Sequence, residues 1–365
     1  MEHYTDWLSL VLRWIHFIAG AAWIGTSFYF NWLNNNVRPP EEKEEGVGGE
    51  VWSIHGGHFY RVVKYAVAPP KLPTVLHWFK WEAYLTWISG FSLLTVVYYL
   101  NAPTYMVDPS ATFLSPIAAA TGLSYAALTV ILGIATLAIG WVVYHFMCKS
   151  PLSKQPALFA LLGFAMLVGL AFALTQTFGS RAAYIHVGAL IGTIMAANVF
   201  FVIIPNQRVM VDAMVAGKEM TDELANMGLE GSLRSRHNNY FTLPVLFIMV
   251  SNHYPMTYGH AWNWAILAAI SLVGAGVRHW FNLRGMGQKN VWILPAAAVA
   301  MVALAFVTTP KTLADHRPVT FEEVRAIFDT RCVTCHSGSP THEAFATAPQ
   351  GIQFDTPPPL PLIHT

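Results

Sequence analysis

The stretch GLSYAALTVILGIATLAIGWVVYHFM, residues 122–147, decides the fold class. It contains no Asp, Glu, Lys or Arg, and about twenty apolar residues suffice for a helix to cross the hydrocarbon core of a bilayer. In the whole chain 54% of residues are hydrophobic and 11% are charged, against about 25% charged residues in typical soluble domains. We therefore predict an all-α fold, a polytopic helix bundle embedded in the lipid bilayer.

Apolar stretches on both sides of this segment extend the bundle to about eight transmembrane helices over residues 1–310. The sixth stretch is the weakest, because only residues 240–250 are continuously apolar and Pro244 interrupts them. The first is a full-length span rather than the short apolar region of a signal peptide, so we expect no cleaved leader. The predicted spans are 7–33, 82–100, 122–147, 156–176, 183–204, 238–253, 261–281 and 291–308.

Lys and Arg are distributed unevenly between the predicted spans. The connections after spans one, three, five and seven hold or adjoin most of them, whereas the intervening connections hold only Arg181. Because positive charge favours the cytoplasmic side, we predict a bacterial inner (cytoplasmic) membrane protein with both termini in the periplasm. The net charge of +1 does not bear on nucleic-acid binding, but no Lys/Arg-rich run is present and we expect no nucleic-acid partner. The cytoplasmic set is Arg38, Lys43, Arg61, Lys64, Lys71, Lys80, Lys149, Lys154, Arg208, Lys218, Arg234, Arg236, Arg278, Arg284 and Lys289.

Beyond the last span, residues 311–365 contain the motif Cys332-Val-Thr-Cys335-His336. C-x-x-C-H is typical of c-type haem attachment, in which both thiols bond the porphyrin and the imidazole ligates the iron. A structural zinc needs four ligands, and the only other cysteine, Cys148, lies in a distant span. Covalent haem is attached outside the cytoplasm, in agreement with the predicted orientation. We predict a partial periplasmic cytochrome c-like domain that holds haem c through Cys332 and Cys335, with His336 as the proximal iron ligand.

Polar side chains inside the predicted spans are candidates for function, because they are expensive in a membrane. Arg13, His16 and Trp23 share one face of the first span. Together with His186 of the fifth span, His16 offers two axial ligands for a buried haem b, or, with Arg13, a cationic pocket for an anion. The residues alone leave both interpretations open. The outer set of candidates is Arg13, His16, Trp23, His186, Asn252 and His253.

An alternative, inner set lies toward the cytoplasmic side and consists of Glu82, His237 and Asn239. Asn238 and Asn239 lie at one end of the sixth span and Asn252 and His253 at the other, and Pro244 is expected to break the helix between them. Broken polar helices are tolerated in a membrane only where they line protein or a cavity. We therefore expect either a substrate pocket or amide cross-links between helices at the sixth span.

Several segments are informative in combination. They are RWIHFIAGAAWIG at 13–25, WFKWEAY at 78–84, YIHVG at 184–188, HNNYFTLP at 237–244, SNHY at 251–254 and the C-x-x-C-H motif. Together they resemble the bacterial membrane-bound urate oxidases that are fused to a C-terminal cytochrome c. The resemblance covers nearly the whole chain. It implies an eight-helix membrane domain that oxidises urate to 5-hydroxyisourate.

The resemblance also implies that electrons pass to the covalently bound haem c and on to the respiratory chain, through a soluble cytochrome or a terminal oxidase. A c-type domain normally supplies a distal Met, but no Met follows His336. Either the chain is truncated, or the iron takes His342, His364 or water as its distal ligand. Loss of the Met would lower the reduction potential.

Urate is largely a monoanion at neutral pH, and the outer set could supply the groups that it needs. The inner set is the competing site. There are two alternative functions. One is a membrane cytochrome that relays electrons or oxidises quinol, with haem b in the bundle, and the other is a transporter. The hypothetical roles are anion binding for Arg13, base or haem ligand for His16 or His186, stacking for Trp23, and ring contacts for Asn252 and His253.

Overall fold

A computed structural model describes residues 2–66, 69, 71–108, 110–219, 221–309, 319–342, 345 and 347–355. Within these residues, a long helix lies at each of the eight predicted spans. A further helix of 11 residues, Phe321–Arg331, follows them, and shorter helical segments are Thr95–Tyr99, Ala102–Tyr105, Ser115–Thr121, Pro151–Lys154, Pro255–Tyr258 and Pro349–Gly351. The long helices are α1 (Glu2–Asn36), α2 (Trp81–Leu94), α3 (Tyr125–Lys149), α4 (Pro156–Thr175), α5 (Ser180–Val215), α6 (Asp222–Ser251), α7 (Asn263–Gly285) and α8 (Ile293–Val307).

Five of these helices, α1, α3, α4, α5 and α7, are long and apolar enough to cross a membrane. The other three fall short for local reasons. Helix α2 changes after 14 residues into a π-helical stretch, Thr95–Tyr99, and α8 has 15 residues. Helix α6 has 30 residues, but its first half contains Asp222, Glu223 and Arg234. The chain is mostly helical and has the helices of a multi-pass membrane protein.

Side-chain caps fix where several helices begin. The hydroxyl groups of Ser124 and Thr221 accept a backbone N–H in the first turn of α3 and α6. Each cap satisfies an N–H that has no partner inside the helix. Helix α9 (Phe321–Arg331), directly before the C-x-x-C-H motif, begins with a capping box formed by Thr320 and Glu323. The predicted linker between α8 and α9, residues 311–318, lies outside the described residues.

Helix α5 is the centre of the bundle. In its most apolar window 67% of the residues are buried, against 11–33% in the other four candidate spans. It packs against α2, α3, α4 and α6, and a Cβ on Gly188 would lie only 2.5 Å from Cγ2 of Ile248 in α6. Helix α8 has no buried residue and packs on the outside of α7. Polar side chains between α5, α6 and their neighbours are therefore the ones that the bundle encloses.

Helix α6 corrects one expectation. The sequence predicted a short sixth span broken at Pro244, whereas the helix continues without interruption from Asp222 to Ser251. A Cβ on Gly274 of α7 would lie 3.4 Å from the Pro244 nitrogen, so the neighbouring helix encloses this position. Proline is tolerated inside membrane helices where neighbours enclose the freed backbone groups.

The connection between α1 and α2 contains a β-hairpin that the all-α prediction missed. Strand β1 (Val47–His55) pairs antiparallel with β2 (His58–Tyr65) through a two-residue turn. The turn residues Gly56 and Gly57 have φ angles of 57° and 81°. Tight hairpin turns of this kind require positive φ, which glycine adopts without a steric penalty.

A carboxylate ties the hairpin together. Glu50 accepts hydrogen bonds from Arg61 Nε at 2.6 Å and from Trp52 Nε1 at 3.0 Å. These two donors, Arg61 first, hold the pKa of Glu50 below its ordinary value. The backbone of Glu50 also pairs with Arg38, just beyond α1. The hairpin is thereby attached to the end of the first helix.

Candidate functional site

Polar side chains collect at both ends of the bundle. The N-termini of α5 and α7 lie together, because Tyr184 Oη donates to the Asn263 carbonyl at 2.6 Å. We call this end outer, after the predicted orientation. The opposite end, where α3 and α7 finish and α6 begins, is called inner.

At the outer end, Arg181 and Asn252 form the outer arginine–asparagine pair. Arg181 Nε donates to Asn252 Oδ1 at 3.1 Å, and Tyr98 Oη donates to the same oxygen at 3.5 Å. The guanidinium carbon lies 5.9 Å from the centre of the Tyr105 ring, within cation–π range. Asn252 is thus part of a polar group, with Arg181 as its hydrogen-bonded cation.

Two other members of the outer set lie at the surface. The exposed Arg13 side chain donates to Ser9 Oγ at 3.3 Å. His253 is exposed just beyond the end of α6. Neither side chain lies in an enclosed pocket.

His16 and Trp23 join α1 to its neighbours. His16 Nδ1 lies 2.9 Å from the Thr86 carbonyl and 3.2 Å from Ser89 Oγ, both on α2. A Cβ on Gly90 would lie 2.8 Å from the His16 ring, so this glycine lets the two helices approach. Trp23 packs against the main buried core of the bundle and against a small cluster formed by Ala83, Val199 and Ile204. The predicted face of α1 therefore contacts α2.

His186 is the most enclosed member of the outer set. It is fully buried, and its Nδ1 lies 2.8 Å from the Ala182 carbonyl one turn earlier. Its Nε2 and the Tyr99 hydroxyl have no hydrogen-bond partner in the described part of the chain. A Cβ on Gly133 of α3 would lie 2.6 Å from that Nε2. His186 is held between α3 and the π-helical stretch that follows α2.

The packing at the two histidines tests the haem b hypothesis. A porphyrin needs open space beside the ligating nitrogen, but Gly133 lies against Nε2 of His186, and the ring of His16 lies against Gly90. The two rings contact different helices, α3 and α2. The described arrangement leaves no room for a porphyrin at His186, so these two histidines do not fit haem b.

At the inner end, Arg278 and Asn239 form the inner arginine–asparagine pair. Arg278 Nε donates to Asn239 Oδ1 at 2.9 Å, and Asn282 Nδ2 donates to the same oxygen at 3.0 Å. The guanidinium lies 4.1 Å from the centre of the Phe28 ring. Arg278 is 6% exposed, and no carboxylate of the described residues forms an ion pair with it. A positive charge is therefore buried here without a protein counter-charge.

The same place has a free hydrogen-bond donor. The Asn239 amide nitrogen is buried and has no partner within the described residues. Asn31 of α1 donates to Asn282 Oδ1 at 2.8 Å, so α1, α6 and α7 converge on this pair. Since an unpaired buried charge is costly, an anion that also accepts a hydrogen bond would suit the inner pair.

His237 belongs to a neighbouring network. Its Nδ1 lies 2.8 Å from Tyr144 Oη, which accepts a hydrogen bond from Asn198 Nδ2 at 3.1 Å. The fully buried Arg234 donates to Asn198 Oδ1 at 3.3 Å and lies 3.4 Å from a Glu230 carboxylate oxygen. Unlike Arg278, Arg234 has an acidic partner.

The inner set predicted from the sequence is therefore divided. Asn239 and His237 belong to adjacent networks of α6, whereas Glu82 lies in the first turn of α2. Within the described residues the Glu82 carboxylate has no hydrogen bond or ion pair, and its carbonyl accepts from Thr86 Oγ1 at 2.6 Å. Glu82 is not brought together with the other two.

Arg234 was counted only among the cations near the cytoplasmic connections, and Arg278, although a polar residue of the seventh predicted span, was not assigned to a site. Both are buried, at 0% and 6% exposure. A signal was present in the sequence, since Arg278 follows directly on the apolar run of the seventh span. A cation at that depth is a functional candidate.

The C-terminal segment suits haem attachment. Helix α9 ends at the motif, and the His336 backbone N–H donates to the Cys332 carbonyl at 2.7 Å in the turn that follows. Cys332 and Cys335 are free, partly buried thiols. His336 Nδ1 lies 3.0 Å from the Ile352 carbonyl, a contact that fixes the ring and leaves Nε2 for a metal. His364 and the chain beyond residue 355 lie outside the described residues.

Comparison with known proteins assigns the helical part of the chain. A sequence family described as urate oxidase N-terminal matches residues 2–309. The chain belongs to the urate oxidase N-terminal family. No curated protein and no solved structure matches it.

Membership of the urate oxidase N-terminal family indicates an oxidoreductase with a role related to urate oxidation. The match contains the outer pair, the inner pair and the His237 network. It ends before Cys332, so membership applies to the helix bundle and not to the C-x-x-C-H segment.

Proposed function

We propose that the chain oxidises urate to 5-hydroxyisourate and binds the urate anion at the inner arginine–asparagine pair. The buried Arg278, which has no acidic partner among the residues that the structure describes, is the observation that carries this proposal. Its guanidinium attracts the urate monoanion, and the free Asn239 amide donates to a ring carbonyl. Phe28 and Asn239 hold the guanidinium in place. The inner pair is preferred to the outer set because Arg13 and His253 are exposed.

The reaction removes two electrons and two protons from urate and adds water, and the protein must supply an electron acceptor. Cys332, Cys335 and His336 would hold haem c in a separate segment after residue 310, and the Ile352 contact to His336 supports this assignment. When bound, haem c supplies a one-electron acceptor that a soluble cytochrome or terminal oxidase can reoxidise. Covalent haem staining of the expressed protein should be positive and should disappear when Cys332→Ser and Cys335→Ser are combined; a wild-type chain that does not stain would refute the assignment.

We further propose that all eight long helices cross a bacterial inner membrane, with both termini in the periplasm. The five apolar helices and the uneven distribution of cations support this topology. A periplasmic reporter fused after Val319 should be active, and one fused after Lys289 should be silent. The reverse pattern would refute the orientation.

The catalytic proposal is tested by adding urate anaerobically to purified protein with ferricyanide as an artificial electron acceptor. The wild type should consume urate, and Arg278→Gln should lower kcat/KM by about 100-fold, since hydrogen bonds to charged groups contribute about 1.5–3 kcal/mol. Arg181→Gln in the outer pair is the matched control and should retain activity. A wild type that leaves urate unchanged would refute the function. Activity lost in Arg181→Gln and kept in Arg278→Gln would move the site to the outer pair.

A further inference from the structure

A cavity of about 850 Å³ lies between helices α3, α4, α5, α6 and α7. Most of its wall is apolar, with side chains such as Leu132, Leu167 and Ile194. Arg278 and Asn239 are not part of its lining, so the cavity is distinct from the inner arginine–asparagine pair. A ligand bound at the inner pair would therefore not fill it.

The larger polar side chains of the cavity collect at its inner end and form two tyrosine–histidine pairs. Tyr144 Oη lies 2.8 Å from His237 Nδ1, and Tyr240 Oη lies 2.7 Å from His279 Nδ1. The His237 ring is stacked on Phe159 at 4.8 Å between ring centres. In the described residues neither imidazole Nε2 has a hydrogen bond, so each pair can offer a further polar contact to a ligand.

The cavity opens sideways. Ile139 of α3 and Leu272 of α7 line it and are 61% and 59% exposed. Both belong to helices that are long and apolar enough to cross a membrane, and exposed apolar side chains on such helices face lipid. A ligand can therefore enter from the bilayer, with its apolar part between the helices and its polar part at the inner end.

We propose that this cavity binds an isoprenoid quinone, with the ring at the two tyrosine–histidine pairs and the tail along the apolar wall. Phenol and imidazole groups donate hydrogen bonds to carbonyl oxygens and exchange protons, and a quinone needs both during reduction. A phospholipid would instead require cations for its phosphate. Among the described residues, Arg236 is the one Lys or Arg of the cavity lining, and it is exposed.

This inference rests on the proposed function and names, in addition to haem c, a second electron acceptor that lies within the bilayer. Water adds its oxygen to C5 of urate, two electrons pass to the quinone, and two protons complete the quinol: urate + H₂O + quinone gives 5-hydroxyisourate + quinol. The two sites lie on the same helices. Asn239 and Arg278 belong to the inner arginine–asparagine pair, and the residues that follow each of them, Tyr240 and His279, line the cavity. Electrons would therefore move between neighbouring faces of α6 and α7.

Two glycines of α4 provide a matched test. Gly163 lines the cavity and Gly169 does not, and a Cβ at either position meets no atom within 4 Å. Gly163→Phe should fill the cavity, whereas Gly169→Phe should point its ring elsewhere. In full-length protein reconstituted in nanodiscs, decylubiquinone should quench tryptophan fluorescence saturably. Its affinity should fall at least tenfold in Gly163→Phe and stay unchanged in Gly169→Phe.

A second variant keeps the test decisive if Gly163→Phe does not fold. Tyr240→Phe removes the hydroxyl of the more exposed tyrosine–histidine pair and should also weaken decylubiquinone binding severalfold. Unchanged quinone affinity in Gly163→Phe or Tyr240→Phe would overturn the proposal. So would native mass spectrometry that finds a phospholipid, and not a quinone, lost with Gly163→Phe.

The two proposals fail in different ways. Urate consumption with ferricyanide but no saturable quinone binding would remove the quinone site and keep the urate oxidase. Quinone binding without urate consumption under any acceptor would remove the catalytic proposal and the electron transfer that depends on it. Anaerobic urate-dependent reduction of decylubiquinone by the wild type would support both.

Discussion

Replacing Asn239 with aspartate places a carboxylate against Arg278 without changing the size of the side chain. In the wild type Asn239 Oδ1 accepts hydrogen bonds from Arg278 and Asn282 at 2.9 and 3.0 Å. An aspartate oxygen keeps both bonds. The substitution also removes the Asn239 amide nitrogen, which is buried without a partner in the described part of the protein. Asn239→Asp should therefore fold as well as the wild type.

The effect on an anionic substrate should be large. With an effective dielectric constant of about 20, a carboxylate roughly 5 Å from the bound urate repels it by about 3 kcal/mol. Each 1.4 kcal/mol corresponds to about a tenfold change in affinity. The new carboxylate also neutralises Arg278, so KM for urate should rise on the order of 100-fold.

The assay is anaerobic urate consumption with ferricyanide, together with a thermal unfolding curve. Asn252→Asp is the matched control, because Asn252 Oδ1 also accepts from an arginine, Arg181, at 3.1 Å. We expect a normal Tm for both variants and a raised KM for Asn239→Asp alone. An Asn239→Asp protein with a normal Tm and a normal KM would refute anion binding at Arg278.

Two further predictions concern packing and pH. Gly133→Ala should lower the free energy of unfolding by about 1–3 kcal/mol, as overpacking does, because its Cβ would lie 2.6 Å from the buried His186 Nε2. A Cβ at Gly163 meets no atom within 4 Å, so Gly163→Ala should not lower the free energy of unfolding. Equal Tm values for Gly133→Ala and Gly163→Ala would contradict the close packing at Gly133. Arg61 lowers the pKa of Glu50, so the hairpin should be stabilised above the ordinary glutamate pKa and lose that stabilisation as the pH falls below it. Limited proteolysis of the hairpin should therefore accelerate in acid for the wild type but not for Glu50→Gln, and an unchanged acid sensitivity in Glu50→Gln would contradict the role of this ion pair.

Much of the helical framework could be predicted from the sequence. Residues 122–147 and the other apolar stretches predicted helices at the right places, because the length of an apolar run is a local property. The hairpin also had a local signal that the prediction did not use. Gly56-Gly57 stands between two segments rich in β-branched and aromatic residues, as expected for a two-residue turn.

The continuity of α6 and the candidate site depended on the tertiary structure. Pro244 predicts a break when it is considered alone, and only the close approach of α7 at Gly274 shows why the helix continues. The sequence could name Asn239 and Arg278 as polar residues of two different spans. It could not show that they bond to each other at 2.9 Å.

The sequence by itself therefore determined the class of protein and the positions of the helices, since each depends on residues close together in the chain, whereas the haem c segment stays a prediction. The tertiary structure decided which polar groups meet. A charge that lies near a helix end is normally solvated or faces lipid headgroups, and Arg278 becomes a candidate site only because α1, α6 and α7 enclose it while no carboxylate of the described residues pairs with it. Burial and pairing are properties of helices that are distant in sequence, and they distinguish Arg278 from an ordinary cation at the end of a helix.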